Sequence, residues 1–227
     1  MELRYLGHSA VALTDGDAHV LIDPFLTGNP KAAVGADELS PTHILLTHGH
    51  GDHFGDTVDI ANRTGAEVLA ITEVAGELQS EHGLSKVHDP NLGGAVKFDW
   101  GWVKLVPAWH TSTTPRGTPS TPAGLLVELG GTLVYHLGDT ALFSDLQLIA
   151  RRGDPVDVAL VPIGGHYTMD RIDAVTAVEF IQPRVVIPIH YGTMPVIETD
   201  AEQFKADVES QTGARCVVLT PGGTWSP

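Results

Sequence analysis

The stretch Thr47-His48-Gly49-His50-Gly51-Asp52-His53 places three imidazoles and one carboxylate within six consecutive positions, directly after the apolar residues 44–46. Imidazole nitrogen and carboxylate oxygen are ligands that zinc, manganese, iron and nickel accept in proteins. In extended chain, residues two apart point to the same side, so the first two histidines are expected to face one ion. The last two donors follow a second glycine and can turn toward another point. The stretch therefore predicts a pair of metal ions.

The two glycines of this stretch are expected to remove side-chain bulk between the ligands, so that the backbone can fold closely around an ion. A histidine-rich surface loop is the alternative interpretation, and such a loop would have no matching donors elsewhere in the chain. Three later apolar segments each end in a further candidate ligand, namely His110, Asp139 and His190. In layered α/β folds ligands gather outside the carboxyl ends of the strands, so one shared site accounts for this regularity.

Length and composition predict one domain spanning residues 1–227, without a membrane segment, and the alternation of predicted strands and helices predicts an α/β fold. A chain of 227 residues suffices for one well-buried core, and its hydrophobic (42%) and charged (18%) fractions are ordinary for a globular domain. No apolar run approaches the roughly 20 residues of a membrane helix, and the first residues do not form a signal-peptide pattern. Cys216 is the only cysteine, which fits a reducing cytoplasm.

The net charge of −15 argues against a nucleic-acid partner, because affinity for nucleic acid comes largely from basic side chains that neutralise phosphates. A bound metal pair would add positive charge locally, so a small anionic substrate stays compatible with the composition. Arg116 lies in the Thr-, Ser- and Pro-rich segment 112–121 that follows His110. Arg116 and Arg171 are candidate anchors for a substrate carboxylate or phosphate, with solvated surface arginines as the alternative.

Four further residues outside the ligand set are candidates for the site. His8 lies in the turn after the first predicted strand, and it either contacts substrate or bonds to nearby backbone. Asp23 ends the third predicted strand and either orients a metal-bound histidine or caps a turn. His166 follows two glycines and is a candidate proton donor, or it packs within its loop. Asp170 either assists His166 in contacting substrate or caps the helix that follows.

Patterns of apolar residues and capping residues predict helices at residues 57–63, 73–82, 144–151, 170–181 and 201–210. Asp56 is expected to cap the first of these helices and Gly65 to end it. The helix at 170–181 carries apolar residues at helical spacing that are expected to face the core: Ile172, Val175, Val178 and Ile181. His136, three residues before Asp139, is expected to be a buried structural histidine.

The His-x-His-x-Asp-His string, the lone His110, the Gly-Asp-Thr at 138–140 and the Ile-His at 189–190 resemble, in this order, the motifs of the metallo-β-lactamase superfamily. The resemblance implies a four-layer αβ/βα sandwich with the metal site at one edge of two sheets. It also implies a division of the ligands between two ions: His48, His50 and His110 for the first, Asp52, His53 and His190 for the second, with Asp139 bridging both.

More narrowly, segments 7–9, 47–56, 135–140 and 164–170 resemble an uncharacterised bacterial and archaeal group of metal-dependent hydrolases, which is similar to lactonases of phosphorylated sugar acids. The implied activity is hydrolysis of a small ester, lactone or phosphodiester by a hydroxide held between two divalent ions. Zinc is expected first, with manganese, iron and nickel open. Asp52 would orient the hydroxide and pass a proton to the leaving group.

Two other functions stay open from the sequence. One is a di-iron redox protein, because some relatives in the superfamily hold two irons, although no flavin domain is present here. The other is a non-catalytic metal-binding module. Assembly into a homo-oligomer is also left open.

Overall fold

Two seven-stranded sheets form the centre of the computed structural model, which describes residues 1–149 and 155–227. The strands of the first sheet are β1 (Glu2–Gly7), β2 (Ala10–Asp15), β3 (Ala18–Ile22), β4 (His43–Leu45), β5 (Glu67–Leu69), β6 (Val87–His88) and β14 (Thr224–Trp225). The strands of the second sheet are β7 (Ala95–Phe98), β8 (Gly101–Pro107), β9 (Ala123–Leu129), β10 (Thr132–His136), β11 (Val158–Pro162), β12 (Val185–Ile189) and β13 (Arg215–Cys216).

Both sheets follow the same plan along the chain. In the first sheet β1, β2 and β3 pair antiparallel, and β3, β4, β5 and β6 then pair parallel. In the second sheet β7 to β10 pair antiparallel, and β10 to β13 pair parallel. Parallel pairing requires a crossover connection, and these crossovers carry most of the helices. In each sheet one strand pairs antiparallel with one neighbour and parallel with the other, and this strand is β3 in the first sheet and β10 in the second.

Helices cover the outer faces of the two sheets. The helices are α1 (Gly51–Phe54), α2 (Thr57–Thr64), α3 (Thr72–Ser80), α4 (Arg171–Ile181) and α5 (Ala201–Gln211). Apolar side chains of α2 and α3 join the core cluster that also contains the facing sides of both sheets. Those of α4 and α5 form a second cluster on the outer face of the second sheet. The resulting order of layers, helix–sheet–sheet–helix, confirms the αβ/βα sandwich expected from the sequence.

The ends of α2 lie where the sequence predicts them, but one apolar residue of α4 does not face the core. Asp56 is the N-cap residue of α2, although its carboxylate accepts hydrogen bonds from the backbone N–H groups of Leu26 and Thr27 and not from the helix. Gly65 does end this helix, in the left-handed conformation. Ile172 is exposed in the first turn of α4, whereas the other three apolar residues of that stripe are buried.

The helix predicted at residues 144–151 is a short 3₁₀ helix at Ser144–Leu148, and residues 150–151 of that prediction lie outside the described residues. Two further 3₁₀ helices lie at Ala36–Glu38 and Pro195–Ile197. Throughout the residues that the structure describes, no helix combines the length and the hydropathy needed to cross a membrane.

Candidate metal centre

The histidine-rich stretch leaves β4 as extended chain and then turns into α1. His50 has an extended backbone conformation (φ −59°, ψ 149°), and its ring lies beside that of His48, with His48 Nε2 3.0 Å from His50 Nδ1. Asp52 and His53 lie in α1 itself, so a helical turn, and not merely flexible chain, directs them to their own point. The close-packing role expected of the glycines applies to Gly49 alone. A Cβ on Gly49 would meet Thr114 at 3.0 Å, whereas a Cβ on Gly51 would meet open space.

One group of donors contains three histidines from both halves of the chain. The ligand nitrogens of His48, His50 and His110 all lie within 4.8 Å of one another. His48 is buried, and burial holds its pKa well below the usual value, with the nearby His53 acting in the same direction. A neutral imidazole retains the lone pair that a metal ion requires. His48 therefore presents its nitrogen in the form suited to coordination.

A second group contains Asp52, His53 and His190, and also His8. His8 is fully buried, and its Nε2 lies 3.1 Å from Asp52 Oδ2 while its Nδ1 lies 2.9 Å from Thr193 Oγ1. Burial lowers the pKa of His8 to about 4, so the ring is neutral. Because a carboxylate only accepts hydrogen bonds, Nε2 carries the proton that is donated to Asp52, and Nδ1 accepts from the hydroxyl of Thr193.

Asp139 lies between the two groups. Its Oδ1 is 3.2 Å from His53 Nε2, and its Oδ2 is 3.1 Å from His190 Nε2 and 3.6 Å from His110 Nε2. Burial disfavours the charged form of Asp139, but the coulombic influence of His53 and His190 outweighs it and holds the pKa well below its usual value. Asp139 is thus an ionised carboxylate that reaches members of both groups.

His53 is placed between two aspartates from different halves of the chain. Its Nδ1 lies 2.7 Å from Asp23 Oδ2, and Asp23 also accepts hydrogen bonds from the N–H and the hydroxyl of Thr47. Burial opposes protonation of His53, yet the charges of Asp139 and Asp23 outweigh burial and raise its pKa well above the usual value. Two buried carboxylates on either side of one imidazole create a site that attracts positive charge.

The chemistry of this donor set fits divalent cations. Buried polar atoms ordinarily have hydrogen-bond partners. Within residues 1–149 and 155–227, His53 Nε2, His190 Nε2 and Asp139 Oδ1 have none, although they converge within a few ångströms. Converging nitrogen and oxygen atoms without hydrogen-bond partners are the arrangement that a metal ion satisfies. Nitrogen and oxygen donors in this number are typical of zinc, manganese and iron.

Hydrogen bonds between the two sheets hold the site together. His190 N donates to His8 O at 2.8 Å, and Gly49 N donates to Ser112 Oγ at 2.9 Å. The buried His136 contacts Ser9 O through Nε2 at 2.9 Å and accepts from Gly138 N, which confirms its expected structural role. These bonds connect the turn after β1 to the ends of β10 and β12, and the loop after β4 to the loop after β8.

Left-handed backbone conformations of non-glycine residues concentrate at this edge of the sheets. Of the described residues, five non-glycine residues have positive φ, and four of them follow strands that end here: His8, Asp23, His166 and His190. Such conformations are uncommon for residues with side chains and persist where the surrounding structure enforces them. Three of these four residues, His8, Asp23 and His190, are buried at the site, so backbone strain is concentrated there.

The remaining candidates from the sequence do not join the donor groups. Arg116 pairs with Glu81 at 3.3 Å on the surface, and Arg171 pairs with Asp207. Asp170 caps α4 by accepting hydrogen bonds from two backbone N–H groups. Its carboxylate therefore performs the helix-capping role, which was one of the two roles expected from the sequence. His166 is exposed at the end of β11, and its ring contacts that of Tyr167.

Sequence reasoning did not identify the polar residues that support the site. Thr193 contacts His8, Thr47 contacts Asp23, and Glu77 accepts a hydrogen bond from Thr114 at 2.5 Å inside the loop that follows His110. Only Thr47 carried a signal, because it adjoins the histidines. Isolated Thr and Glu residues are too common for their positions to predict such contacts.

Comparison with known proteins places the chain in a family. Residues 2–190 match the family model of the Beta-lactamase superfamily domain. A UPF0173 metal-dependent hydrolase of Thermus thermophilus is 50% identical over 223 residues, which cover 98% of this chain and 97% of the relative. Another such hydrolase, from Symbiobacterium thermophilum, is 48% identical over 228 residues, covering 100% of both chains.

The fold gives the same result. The solved structure of a metallo hydrolase from Ignicoccus hospitalis is 36% identical to this chain, with a TM-score of 0.89 over 99% of this chain and 97% of that one. Matches of this extent confirm the resemblance found in the motifs. The chain belongs to the metallo-β-lactamase superfamily, among its metal-dependent hydrolases.

Proposed function

We propose that this enzyme holds two divalent cations, zinc in the first instance, and hydrolyses a small ester, lactone or phosphodiester. The observation that carries the proposal is the placement of Asp139, whose two oxygens lie near donors of both groups. His48, His50 and His110 would hold one cation, and Asp52, His53 and His190 the other, with Asp139 shared. When bound, such a pair supplies Lewis acidity and lowers the pKa of water toward neutrality.

Asp52 is the residue best placed to accept a proton from the attacking water. Its Oδ2 accepts the hydrogen bond from His8, and about a third of its side chain is exposed to solvent at the site. The hydrogen bond to His8 fixes the carboxylate in orientation, so that Asp52 can orient the attacking water with its other oxygen. His8 is buried, and we assign it this positioning role in preference to direct contact with substrate.

Hydrolysis requires a proton at the leaving group. Water adds to the carbonyl carbon or phosphorus, the bond to the leaving oxygen breaks, and that oxygen takes up the proton that the water has lost. Asp52 accepts this proton first and returns it. His166 is a second donor, because it is an exposed imidazole at the end of β11, a strand of the sheet that supplies Asp139 and His190.

Elemental analysis of protein purified without added metal tests the cation proposal, and about two ions per chain are expected. The same protein is then assayed against lactones, thioesters, alkyl esters and bis-p-nitrophenyl phosphate, before and after chelation. We expect one of these classes to be turned over, with loss of activity on chelation and recovery on adding the metal back. Full metal loading without turnover of any class would contradict the hydrolytic proposal. Iron with a visible absorption band would then favour redox chemistry.

A further inference from the structure

Two large aromatic side chains are exposed on either side of the loop that carries Asp139. Trp109 is 68% exposed and Tyr167 is 52% exposed. Tryptophan is highly buried on average, so an indole with two thirds of its surface in water is unusual. The other three tryptophans of the chain, Trp100, Trp102 and Trp225, are partly buried. The exposure of Trp109 therefore calls for a partner that is absent from the polypeptide itself.

Backbone hydrogen bonds fix both aromatic residues relative to the metal centre. Trp109 immediately precedes His110, its N–H donates to Thr140 Oγ1 at 3.0 Å, and its carbonyl accepts from Ala141 N at 2.9 Å. On the other side, Met169 N donates to Thr140 O at 3.2 Å, and Tyr167 lies two residues before Met169. The turn after Asp139 is thus held between the loop of Trp109 and the loop of Tyr167.

The turn between the loops of Trp109 and Tyr167 adds a further small apolar side chain. Ala141, which is exposed, lies on the turn that separates the two loops. The arginines considered as anchors for an anionic substrate are both paired with carboxylates, Arg116 with Glu81 and Arg171 with Asp207. Aromatic rings offer large apolar contact area to a ligand and pack well against other aromatic or alkyl groups.

We propose that the substrate carries a neutral apolar group, preferably aromatic, that packs on Trp109 and Tyr167 while its hydrolysable bond lies at the metal centre. This inference rests on the proposed hydrolytic function and narrows its substrate class. Trp109 and Tyr167 are specificity-determining residues in this account. Exposed aromatic surface beside the site would be covered only when substrate is bound.

Matched substrates test the proposal on the metal-loaded enzyme. Methyl acetate and 2-phenylethyl acetate have the same acyl group and differ in the apolar alcohol, and equivalent pairs serve if lactones or phosphodiesters prove to be the substrates. We expect the wild-type kcat/KM to favour the phenyl compound. In Trp109→Ala this preference should fall by about tenfold or more, as expected for loss of a hydrophobic contact. Trp109→Phe should be intermediate, and Tyr167→Ala should also reduce the preference.

Leu148→Ala provides the control, because Leu148 is another exposed apolar residue, seven positions beyond Ala141. This variant should keep the wild-type preference. Metal content is measured for every variant and should be unchanged, which separates a lost contact from a damaged metal centre. A wild-type enzyme without preference for the phenyl compound, or a preference that survives in Trp109→Ala, would overturn the proposal.

Equilibrium binding gives a readout that does not depend on turnover. The unreactive amide 4-phenylbutyramide is titrated into the protein by calorimetry, with butyramide for comparison. We expect the phenyl compound to bind more tightly, and its Kd to rise about tenfold in Trp109→Ala, the change equivalent to loss of ~1.4 kcal/mol. If no ester, lactone or phosphodiester is hydrolysed, the proposed function fails. The titration still shows whether Trp109 binds an apolar group. Equal binding by wild type and Trp109→Ala would overturn it.

Discussion

The two halves of the molecule have the same strand plan but supply their metal-ligand candidates differently. The first half provides four donors from one loop and short helix, residues 48–53, after a single strand. The second half provides His110, Asp139 and His190 from the ends of three separate strands, β8, β10 and β12. One half thus builds its share of the site locally, and the other builds its share only through tertiary structure.

Corresponding strands nevertheless end in related residues. β3 is followed by Asp23 and β10 by Asp139, and these two carboxylates lie on opposite sides of the same imidazole, His53. β1 is followed by His8 and β8 by His110, and each of these histidines belongs to a different donor group. The comparison shows that equivalent positions in two similar sheets were used for different tasks. In the proposed site, Asp23 would orient a ligand, whereas Asp139 would be shared by the two cations.

We expect the largest effect from substitution of Asp139, the aspartate that the second half supplies. Asp139→Ala removes the carboxylate that reaches both donor groups, so we expect the metal content to fall and kcat/KM to drop by more than about 100-fold, since loss of a mere supporting partner already costs about 10–100-fold. Elemental analysis and the hydrolysis assay measure both. Asp145→Ala, at an exposed aspartate six residues further on, is the control. Full metal content in Asp139→Ala would contradict the proposal that Asp139 binds the cations directly whereas Asp23 only supports a ligand.

The aspartate of the first half should matter less. Asp23→Asn removes the charge that holds His53 Nδ1 but leaves the metal-facing nitrogen in place, so we expect metal affinity to fall by about 10–100-fold with the protein still able to bind metal. Competition with a chromogenic chelator measures this affinity. Asp17→Asn, in the exposed turn between β2 and β3, should behave as wild type. An effect of Asp23→Asn as large as that of Asp139→Ala would remove the proposed difference between the halves.

A smaller effect is expected where the two halves contact each other. Glu77, on α3 of the first half, accepts a hydrogen bond from Thr114, whose backbone packs against Gly49. Glu77→Gln weakens a buried, charge-assisted bond, so we expect the free energy of unfolding to fall by about 1–3 kcal/mol. Chemical denaturation measures it. Glu81→Gln, at a carboxylate half-exposed on the surface, should have little effect. Equal stability of the two variants would mean that Glu77 does not anchor this loop.

We expect the smallest effects from two glycine substitutions away from the site, one at the end of α2 and one inside α3, in the helical layer of the first half. Gly65 ends α2 at φ 73° with open space around it, so Gly65→Ala should cost about 1–2 kcal/mol through backbone strain alone. Gly76 is an exposed glycine inside α3, and Gly76→Ala should stabilise the protein by about 0.5–1 kcal/mol. Thermal unfolding should show shifts of opposite sign, with metal content unchanged in both. Altered metal binding in either variant would show that this layer is coupled to the site.

The sequence by itself determined the features that depend on local pattern. The spacing of His48, His50, Asp52 and His53 indicated a metal site because the donors are neighbours along the chain. The apolar segments before His110, Asp139 and His190 were recognisable as strands, and strand ends in layered folds meet at one edge. Residues of this kind are recognisable from their immediate neighbours in the chain, and the order of the motifs identified the family.

Only the tertiary structure decided which residues act on these donors, because the contacts join positions far apart in sequence. His8 and Asp52 are separated by 44 residues, and Glu77 and Thr114 by 37. The pairing of Arg116 with Glu81, the capping role of Asp170 and the exposure of Trp109 likewise depend on which loops lie side by side. A side chain's partner is set by the packing of the two sheets, and no local pattern encodes that packing.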